Sequence, residues 1–259
     1  MSLNDYDIFR VVGRGINGNV YQAVDIPNHR EVALKETYIN NEVNNHLLVN
    51  HLDCVPRLYN HFIDVTRTGQ QYQYLSIQLI NGDNLNDYWY KTKNWSVIWM
   101  TLYHQILVID EFHKHGYGHG DIHNGNLIWT GDKMYIIDFD RIVDVDAIRD
   151  RLRTLDIDDN EYQQLRNKLI VLCIDYSTIF NMGDIDKIRP YNTFRNDSRG
   201  MERCQLLSKI VQSFPCEEID SRTDEYVIYD DYISTVLREY ERMDRLDNDG
   251  VLEELRLLS

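Results

Sequence analysis

Alternating apolar and polar residues predict β-strands over most of the first eighty positions. YDIFRVVGRGINGNVYQAVDI alternates on both sides of a glycine-rich turn, and HREVALKE continues with the same period. NNEVNNHLLVNHL instead places its apolar residues at helical spacing. QQYQYLSIQLI returns to strand alternation and is followed by the turn residues NGD. This part of the chain is therefore predicted to form a small antiparallel sheet with one helix.

Helical periodicity dominates the remainder of the chain. NWSVIWMTLYHQILVIDEFHKHG has apolar residues at i, i+3, i+4 and i+7, which predicts a long helix. After it, NLIW and KMYIIDF are short apolar runs joined by the turn TGDK, and we interpret them as two short strands. EYQQLRNKLIVLCIDYSTIF and DEYVIYDDYISTVLREYERM are both predicted to be helical.

A strand-rich front and a helix-rich back predict an α+β fold of two lobes. We place the N-lobe at residues 1–81 and the C-lobe at 82–259, with a hinge near Asn81-Gly82-Asp83. A chain of 259 residues with 43% hydrophobic and 27% charged residues is ordinary for a soluble globular protein.

The lack of a recognisable targeting signal and the spacing of the cysteines favour a cytoplasmic or nuclear protein that is not secreted. The opening MSLNDYDIF lacks the basic start and apolar run of a secretory signal, and no apolar stretch approaches the roughly 20 residues of a membrane span. The four cysteines are scattered without a C-x-x-C pair. Buried, reduced thiols are therefore favoured over a disulfide framework or a zinc site.

The net charge of the chain indicates which binding partners are disfavoured. A formal net charge of −15 disfavours direct binding to nucleic acid or to anionic lipid, because both would be repelled. Acidic runs such as DIDDNEY are usually solvated surfaces. The functional alternative is that they contact a basic protein substrate. The sequence makes no prediction of the oligomeric state.

The stretch GRGING, from Gly13 to Gly18, fits the pattern G-x-G-x-x-G. A dinucleotide-binding fingerprint would open a helix, whereas the following residues alternate like a strand, so the glycines join two strands. Such a hairpin can fold over phosphates with its backbone N–H groups, or it can be an ordinary flexible turn. Lys35 lies on the next strand among apolar neighbours, where a lysine needs an anionic partner, and Glu42 can supply one.

Taken together, these motifs resemble the eukaryotic-type protein kinases over most of the chain. Glu42 then stands in the place of the ion-pair partner of Lys35, and LSIQLINGDNL is similar to the strand and hinge that hold adenine, with Ile77 at the gatekeeper place. The resemblance implies an ATP-binding N-lobe of sheet and one helix. The residues that it assigns to ATP are Gly13, Gly15, Gly18, Val20, Ala33, Lys35, Ile77, Gln78 and Leu79.

HGDIHNGN, residues 119–126, resembles the kinase catalytic loop H-R-D-x-x-x-x-N. By that resemblance Asp121 is the base that accepts the proton of the substrate hydroxyl, and Asn126 is a ligand of Mg²⁺. Asp138, in IIDFD, falls where the family places its metal-binding aspartate, and both residues offer the oxygen atoms that Mg²⁺ prefers. Asp175 resembles the buried aspartate that supports the loop.

The chain departs from the family pattern at several positions. Gly120 replaces the arginine that commonly holds a phosphorylated activation loop, and Asp140 replaces the glycine of D-F-G. His123 stands where many serine/threonine kinases have a lysine. It could assist in stabilising the transferred group, or it could only shape the loop. No A-P-E follows, and helical patterns from Asp146 onward leave little extended chain to bind a peptide.

Three functions are weighed on these residues. The leading hypothesis is an ATP- and Mg²⁺-dependent protein kinase that acts on Ser/Thr rather than Tyr, with Asp121, Lys35, Glu42 and His123 as catalytic residues. The runner-up is a small-molecule phosphotransferase, since HGDIHNGN also resembles the loop of aminoglycoside and choline kinases. The third is a pseudokinase scaffold, which would not need the full set of catalytic residues. A zinc site among the histidines of this segment is disfavoured, because no C-x-x-C or H-E-x-x-H frame accompanies them.

Overall fold

An antiparallel sheet and several helices make up the computed structural model, which is therefore of the α+β class. The structure describes residues 1–15, 18–38, 41–65, 71–92, 94–154, 157–169, 175, 206, 238–246 and 248–257. The chain divides into two compact units. Unit 1 comprises Met1–Gly82 and Thr130–Ile142, and unit 2 comprises Asp83–Trp129 and Val143–Ser259. The predicted lobes were continuous in sequence, whereas unit 1 also includes the later segment Thr130–Ile142.

The elements have the following bounds. The strands are β1 (Tyr6–Gly15), β2 (Gly18–Asp25), β3 (Arg30–Thr37), β4 (Leu58–Val65), β5 (Gln71–Gln78), β6 (Asp83–Asn84), β7 (Tyr117–Gly118), β8 (Leu127–Trp129), β9 (Met134–Ile136) and β10 (Val143–Asp144). The helices are α1 (Asn41–Val49), α2 (Leu85–Thr92), α3 (Trp95–Lys114), α4 (Val145–Leu152), α5 (Asp159–Leu169) and α6 (Asn248–Leu257). Short 3₁₀ helices span Leu3–Asp5 and Asn124–Asn126.

Unit 1 is built on a five-stranded sheet of order β1-β2-β3-β5-β4, in which every neighbouring pair is antiparallel. Residues directly opposite each other on antiparallel strands project to the same face of the sheet. Lys35 of β3 lies opposite Val20 of β2, and Ala33 lies opposite Ile77 of β5. Because positions 33 and 35 share a face, these four side chains lie on one side of the sheet.

The two faces of this sheet have separate cores. On one face an aromatic column of Tyr6, Phe62 and Tyr74 stacks at centroid distances of 5.4 and 5.3 Å. On the other face Val43 of α1 packs with buried Leu58 and Leu75, and Ile77 borders this cluster. Each fully buried side chain of this size stabilises the fold by about 1.5–3 kcal/mol. Packing through Val43 therefore anchors α1 to the face that carries Lys35.

Unit 2 is organised by α3, whose apolar residues recur at helical spacing. Asn94 caps its start, because the Asn94 side chain accepts a hydrogen bond from the Ser96 N–H at 2.9 Å. The buried stripe along the helix consists of Ile98, Leu102, Ile106, Ile109 and Phe112, each at most 1% exposed. A long amphipathic helix is what the sequence predicted here, and a single helix of 20 residues is present.

Several predictions fall partly or wholly on residues outside the described ranges. Of the two predicted later helices, α5 covers the start of the first and residues 238–245 are helical in the second, while 170–174, 176–180 and 224–237 lie outside. Cys54 is buried, as expected for a core thiol, and the other three cysteines are not among the described residues. Among the helices that the structure describes, none is both long and apolar enough to span a bilayer.

Candidate functional site

The glycine-rich hairpin joins β1 to β2, and its three motif glycines differ in whether the local structure requires glycine. Gly18 has φ +148°, and a Cβ added to it would lie 1.8 Å from the Glu36 carbonyl oxygen, so the fold itself requires glycine. Among the described residues, a Cβ on Gly13 would meet Val20 at 3.5 Å, and one on Gly15 would come no closer than 3.8 Å to another atom. Packing does not explain these two glycines, whereas close approach of a ligand to the backbone would.

The predicted adenine-binding residues Val20, Ala33 and Ile77 are half-buried on the sheet face that carries Lys35. Gln78, at the end of β5, was expected to offer backbone groups to the base together with Leu79. Its N–H already donates to the Arg57 carbonyl at 2.8 Å. Of the backbone groups predicted to contact the base, the N–H of Gln78 is therefore committed within the fold.

Lys35 lies in unit 1 with two carboxylates around its ammonium group. Its Nζ donates to Glu42 Oε1 on the first turn of α1, and to Asp138 Oδ1 at 2.7 Å. Glu42 is only 1% exposed. Burial on its own lowers the pKa of the Lys35 ammonium, but attraction to Glu42 and Asp138 outweighs burial and raises that pKa above its ordinary value. Lys35 is therefore a cation at neutral pH, and the structure brings together all three residues that the sequence singled out.

The segment that carries Asp138 is held by α1. Asp138 has φ +72°, in the left-handed region that a non-glycine residue adopts at a cost of about 1–3 kcal/mol. Asn45 donates from Nδ2 to the carbonyls of Phe139 at 2.8 Å and Asp140 at 3.2 Å. His46 packs edge-on against the buried Phe139 ring at a centroid distance of 4.6 Å. These contacts fix the unusual backbone at Asp138.

Sequence reasoning missed Asn45 and His46, although a signal was available. They follow Glu42 at i+3 and i+4, so all three project from one side of α1. Burial lowers the pKa of His46 to about 4, and its Nε2 is 2.7 Å from the Pro56 carbonyl. The ring is therefore neutral at physiological pH, with the proton on the nitrogen that faces this carbonyl.

In unit 2, Asp175 organises the loop that contains HGD. Its carboxylate is fully buried and accepts the N–H groups of His119 and Gly120, each at 2.7 Å. His113 Nε2 is 3.1 Å from the same carboxylate. Gly120 has φ +78°, a conformation that favours glycine and would strain the arginine of the usual H-R-D. The departure at position 120 thus has a backbone cause.

The rest of the loop is cross-linked by Asn126. Its Nδ2 donates to the Asp121 carbonyl at 3.0 Å, and its own N–H donates to the His123 carbonyl at 2.8 Å. Asn126 is 6% exposed. Since the amide nitrogen is committed to a carbonyl, Oδ1 of Asn126 is the atom left to bind a cation, and amide oxygen is a suitable ligand for Mg²⁺.

His123 caps the short 3₁₀ helix that starts at Asn124. Its Nδ1 accepts the Gly125 N–H at 3.0 Å. A Cβ on Gly125 would lie 2.9 Å from His123 Cε1, which explains the glycine. Of the two predicted roles for His123, shaping the loop is the one that these contacts support.

Hydrogen bonds also bear on the zinc alternative. His113 and His119 each use a ring nitrogen on Asp175 or on the Asp121 N–H, and His115 Nδ1 is 2.8 Å from the Glu111 carbonyl. Each of these bonds uses one of the two ring nitrogens. Among the described residues, no three of these histidines bring ligand atoms within 4.8 Å of one another, as a shared zinc ion would require. Asp138 and Asn126, each within its own unit, instead offer oxygen, the donor atom that Mg²⁺ prefers.

Comparison of the chain with models of protein families gives no match, and comparison with curated proteins gives no significant match. Any functional assignment therefore rests on the motifs and on the local geometry of each unit.

Proposed function

We propose that this protein is an ATP- and Mg²⁺-dependent protein kinase that transfers the γ-phosphoryl group to a serine or threonine hydroxyl of a protein. The proposal includes a two-lobed kinase fold, with unit 1 in the place of the nucleotide-binding lobe. One observation carries it: the half-buried Lys35 ammonium is bound by the buried Glu42 and by Asp138, whose backbone is left-handed. A structural ion pair has no need of a third charged group on a left-handed backbone.

Unit 1 supplies the nucleotide contacts in this proposal. The Lys35 ammonium, kept charged by its carboxylates, binds the α- and β-phosphates, and Glu42 holds Lys35 in position. The Gly13 and Gly15 backbone lies against the phosphates, where a side chain would interfere. Val20, Ala33 and Ile77 offer an apolar surface to adenine on the same sheet face.

Unit 2 supplies the groups that act on the acceptor. Asp121 orients the acceptor hydroxyl and accepts its proton, and Asp175 positions Asp121 by holding the backbone just before it. His123 can donate a hydrogen bond from Nε2, which is a weaker interaction with phosphate than a lysine would make. Catalysis then depends on positioning and on charge neutralisation, with no covalent intermediate.

The donor atoms of Asn126 and Asp138 suit Mg²⁺, since both are oxygens and Lys35 occupies only one oxygen of Asp138. When bound, the metal neutralises charge on the phosphate oxygens. The protein's own contribution is to present Asp138 on a backbone that α1 holds in place.

Labelled ATP tests the proposal directly. The purified chain is incubated with Mg²⁺ and γ-labelled ATP, together with basic proteins or with no added acceptor. We expect label on protein. Lys35→Met and Asp138→Asn should each reduce transfer at least about a hundredfold, whereas Asp121→Asn should abolish transfer and leave nucleotide affinity unchanged. Asp7→Asn makes the same substitution at an exposed position and should have no effect. Full activity of Asp121→Asn would refute the assigned roles.

A small-molecule phosphotransferase is the second candidate, and one structural observation favours it. Only residues 139–144 separate Asp138 from α4, so little extended chain is available there to bind a peptide. The same assay with a panel of small alcohols distinguishes the two. Label on a small alcohol alone supports this candidate, and ATP binding without any transfer supports the pseudokinase scaffold.

A further inference from the structure

Unit 1 contains a polar cavity that plays no part in the proposed reaction. It has a volume of about 300 Å³ and is formed by the loop after α1, the end of β5 and the residues around β9. None of Lys35, Glu42 or Asp138 lines it. Its volume is at the lower end of the range for small-molecule sites, about 300–1,000 Å³.

Two cations line this cavity without carboxylate partners. Arg57 and Lys133 are both exposed, and within the described ranges neither lies at ion-pair distance from an acidic side chain. Lys133 instead lies over the ring of Tyr135, with Nζ 4.7 Å from the ring centroid. In a chain with 42 acidic and 27 basic residues, two neighbouring cations of this kind are unexpected. They make the cavity attractive to an anion.

Two amide side chains add hydrogen-bond donors. The Asn50 Oδ1 atom accepts the Leu58 N–H at 2.7 Å, and Gln78 Oε1 accepts the Arg57 N–H at 3.2 Å. Because a backbone N–H can only donate, these bonds determine which atom of each amide is the oxygen. The NH₂ groups of Asn50 and Gln78 are therefore the ends available to a ligand, and an NH₂ group only donates.

The cavity lining carries less negative charge than positive charge. Asp53 is the one carboxylate among the lining residues, against the two cations. The lining thus combines a net positive charge with several donors, which matches a ligand rich in acceptor oxygens and poor in donors. A phosphoryl group has this chemistry, and the planar guanidinium of Arg57 can donate two parallel hydrogen bonds to it.

We propose that this cavity binds the phosphoryl group of a phosphorylated molecule through Arg57, Lys133 and the NH₂ groups of Asn50 and Gln78. The site contains none of the residues to which the proposed kinase reaction gives a role in phosphoryl transfer, although the backbone of Gln78 was also expected to contact adenine. Its position gives it a route to influence α1, because Pro56, in the same loop, contacts His46 through its carbonyl.

Side-chain amide signals test the site locally. In ¹⁵N-labelled full-length protein, titration with inorganic phosphate should shift the NH₂ resonances of Asn50 and Gln78, and the effect should weaken as salt is raised. Binding of phosphate near Lys35 would leave these two signals unchanged, so the readout separates the sites. Absence of any shift at these two amides overturns the proposal.

Charge variants provide the matched comparison. Arg57→Gln with Lys133→Gln should raise the dissociation constant of phosphate roughly tenfold or more. Arg10→Gln with Lys91→Gln removes the same charge elsewhere and should leave the constant unchanged. Asp53→Asn should tighten binding. If the first double variant does not fold, Lys133→Gln alone makes the test in an exposed turn. Equal weakening by both double variants would mean that only the net charge matters, which overturns the site.

Three probes identify the source of the phosphoryl group: inorganic phosphate, glucose 6-phosphate and a phosphoserine hexapeptide. A probe that binds at least tenfold more tightly than the others identifies its class as the ligand, and equal affinities support recognition of the phosphoryl group alone. Unphosphorylated glucose and the unphosphorylated peptide should cause no shifts. If they shift the same amides equally, the anion is not what the cavity recognises.

Discussion

The ion pair between Lys35 and Glu42 gives the sharpest test of how unit 1 is stabilised. Glu42→Gln removes one negative charge beside the Lys35 ammonium while keeping the size of the side chain and one acceptor oxygen. Glu42 is 1% exposed, and the Lys35 side chain is 15% exposed, so solvent screens this pair weakly. Of the carboxylates in the described part of the chain, the substitution leaves Asp138 in contact with Lys35.

The stability that Glu42→Gln should remove from unit 1 can be worked out from these contacts. Breaking a buried ion pair by removing one partner costs about 3–5 kcal/mol. Here Lys35 keeps Asp138 at 2.7 Å, although that carboxylate is 31% exposed and more screened, and the glutamine oxygen can still accept a hydrogen bond. We therefore expect unit 1 to lose about 2 kcal/mol of stability.

The contacts also determine how the stabilisation of unit 1 by this ion pair changes with pH. The pKa of Lys35 is raised in the folded state, so its stabilising contribution is fully present below its ordinary value of 10.5 and is lost as the pH rises through the folded value. Burial outweighs the attraction of Lys35 and raises the pKa of Glu42, so part of the contribution of Glu42 is lost as the pH rises through its folded value. Above that value, the penalty of Glu42→Gln should be nearly constant up to about pH 9.

Hydrogen exchange of the β3 amides measures this loss in unit 1. All four tryptophans, Trp89, Trp95, Trp99 and Trp129, lie in unit 2, so tryptophan fluorescence during urea unfolding reports on unit 2 and should change little. Glu31→Gln is the matched control, because it makes the same substitution at an exposed position of β3. If the two variants protect β3 within about 0.5 kcal/mol of each other, the ion pair does not stabilise unit 1.

Three further predictions concern single positions. The stability of unit 1 should fall by up to roughly 3 kcal/mol as the pH drops from 6.5 to about 4, because unfolded His46 binds a proton that the folded ring excludes. His46→Leu should flatten this pH dependence of stability in hydrogen-exchange measurements, and an unchanged pH dependence would contradict the prediction. Gly18→Ala should lower the stability of unit 1 by about 2 kcal/mol in hydrogen-exchange measurements, whereas Gly13→Ala should lower it by less than about 0.5 kcal/mol. Of these two substitutions, Gly18→Ala is the one that places a methyl group against a carbonyl. Equal losses of stability would argue against the hairpin geometry. Asp175→Asn should lower the stability seen by tryptophan fluorescence by roughly 3 kcal/mol, because an NH₂ group would face backbone N–H donors, whereas Asp150→Asn on the surface should not.

Local patterns were sufficient to predict much of the secondary structure. The apolar period of NWSVIWMTLYHQILVIDEFHKHG anticipated a helix that the structure places at Trp95–Lys114. The alternation around the glycine-rich turn anticipated β1 and β2. Such predictions succeed because the repeat of a helix or strand determines which neighbouring positions share a face, and that information lies within a few residues of sequence.

Contacts between distant segments required either the tertiary structure or a resemblance. Lys35 and Asp138 are 103 positions apart, and Asp175 lies 56 positions beyond the N–H group of His119 that it binds. No local period relates such positions, so the sequence could bring them together only through their likeness to kinase motifs. Asn45 and His46 match no motif, and it was their contacts with residues 139–140 that revealed them.

What the sequence by itself determined is therefore the class of each segment and the residue types available for chemistry. Only the tertiary structure decided that a single ammonium binds two carboxylates, that the His123 ring caps a short 3₁₀ helix, and that Arg57 and Lys133 line one cavity. The physical reason is that burial, ionisation and hydrogen bonding depend on every group within a few ångströms, and the path of the whole chain determines which groups those are.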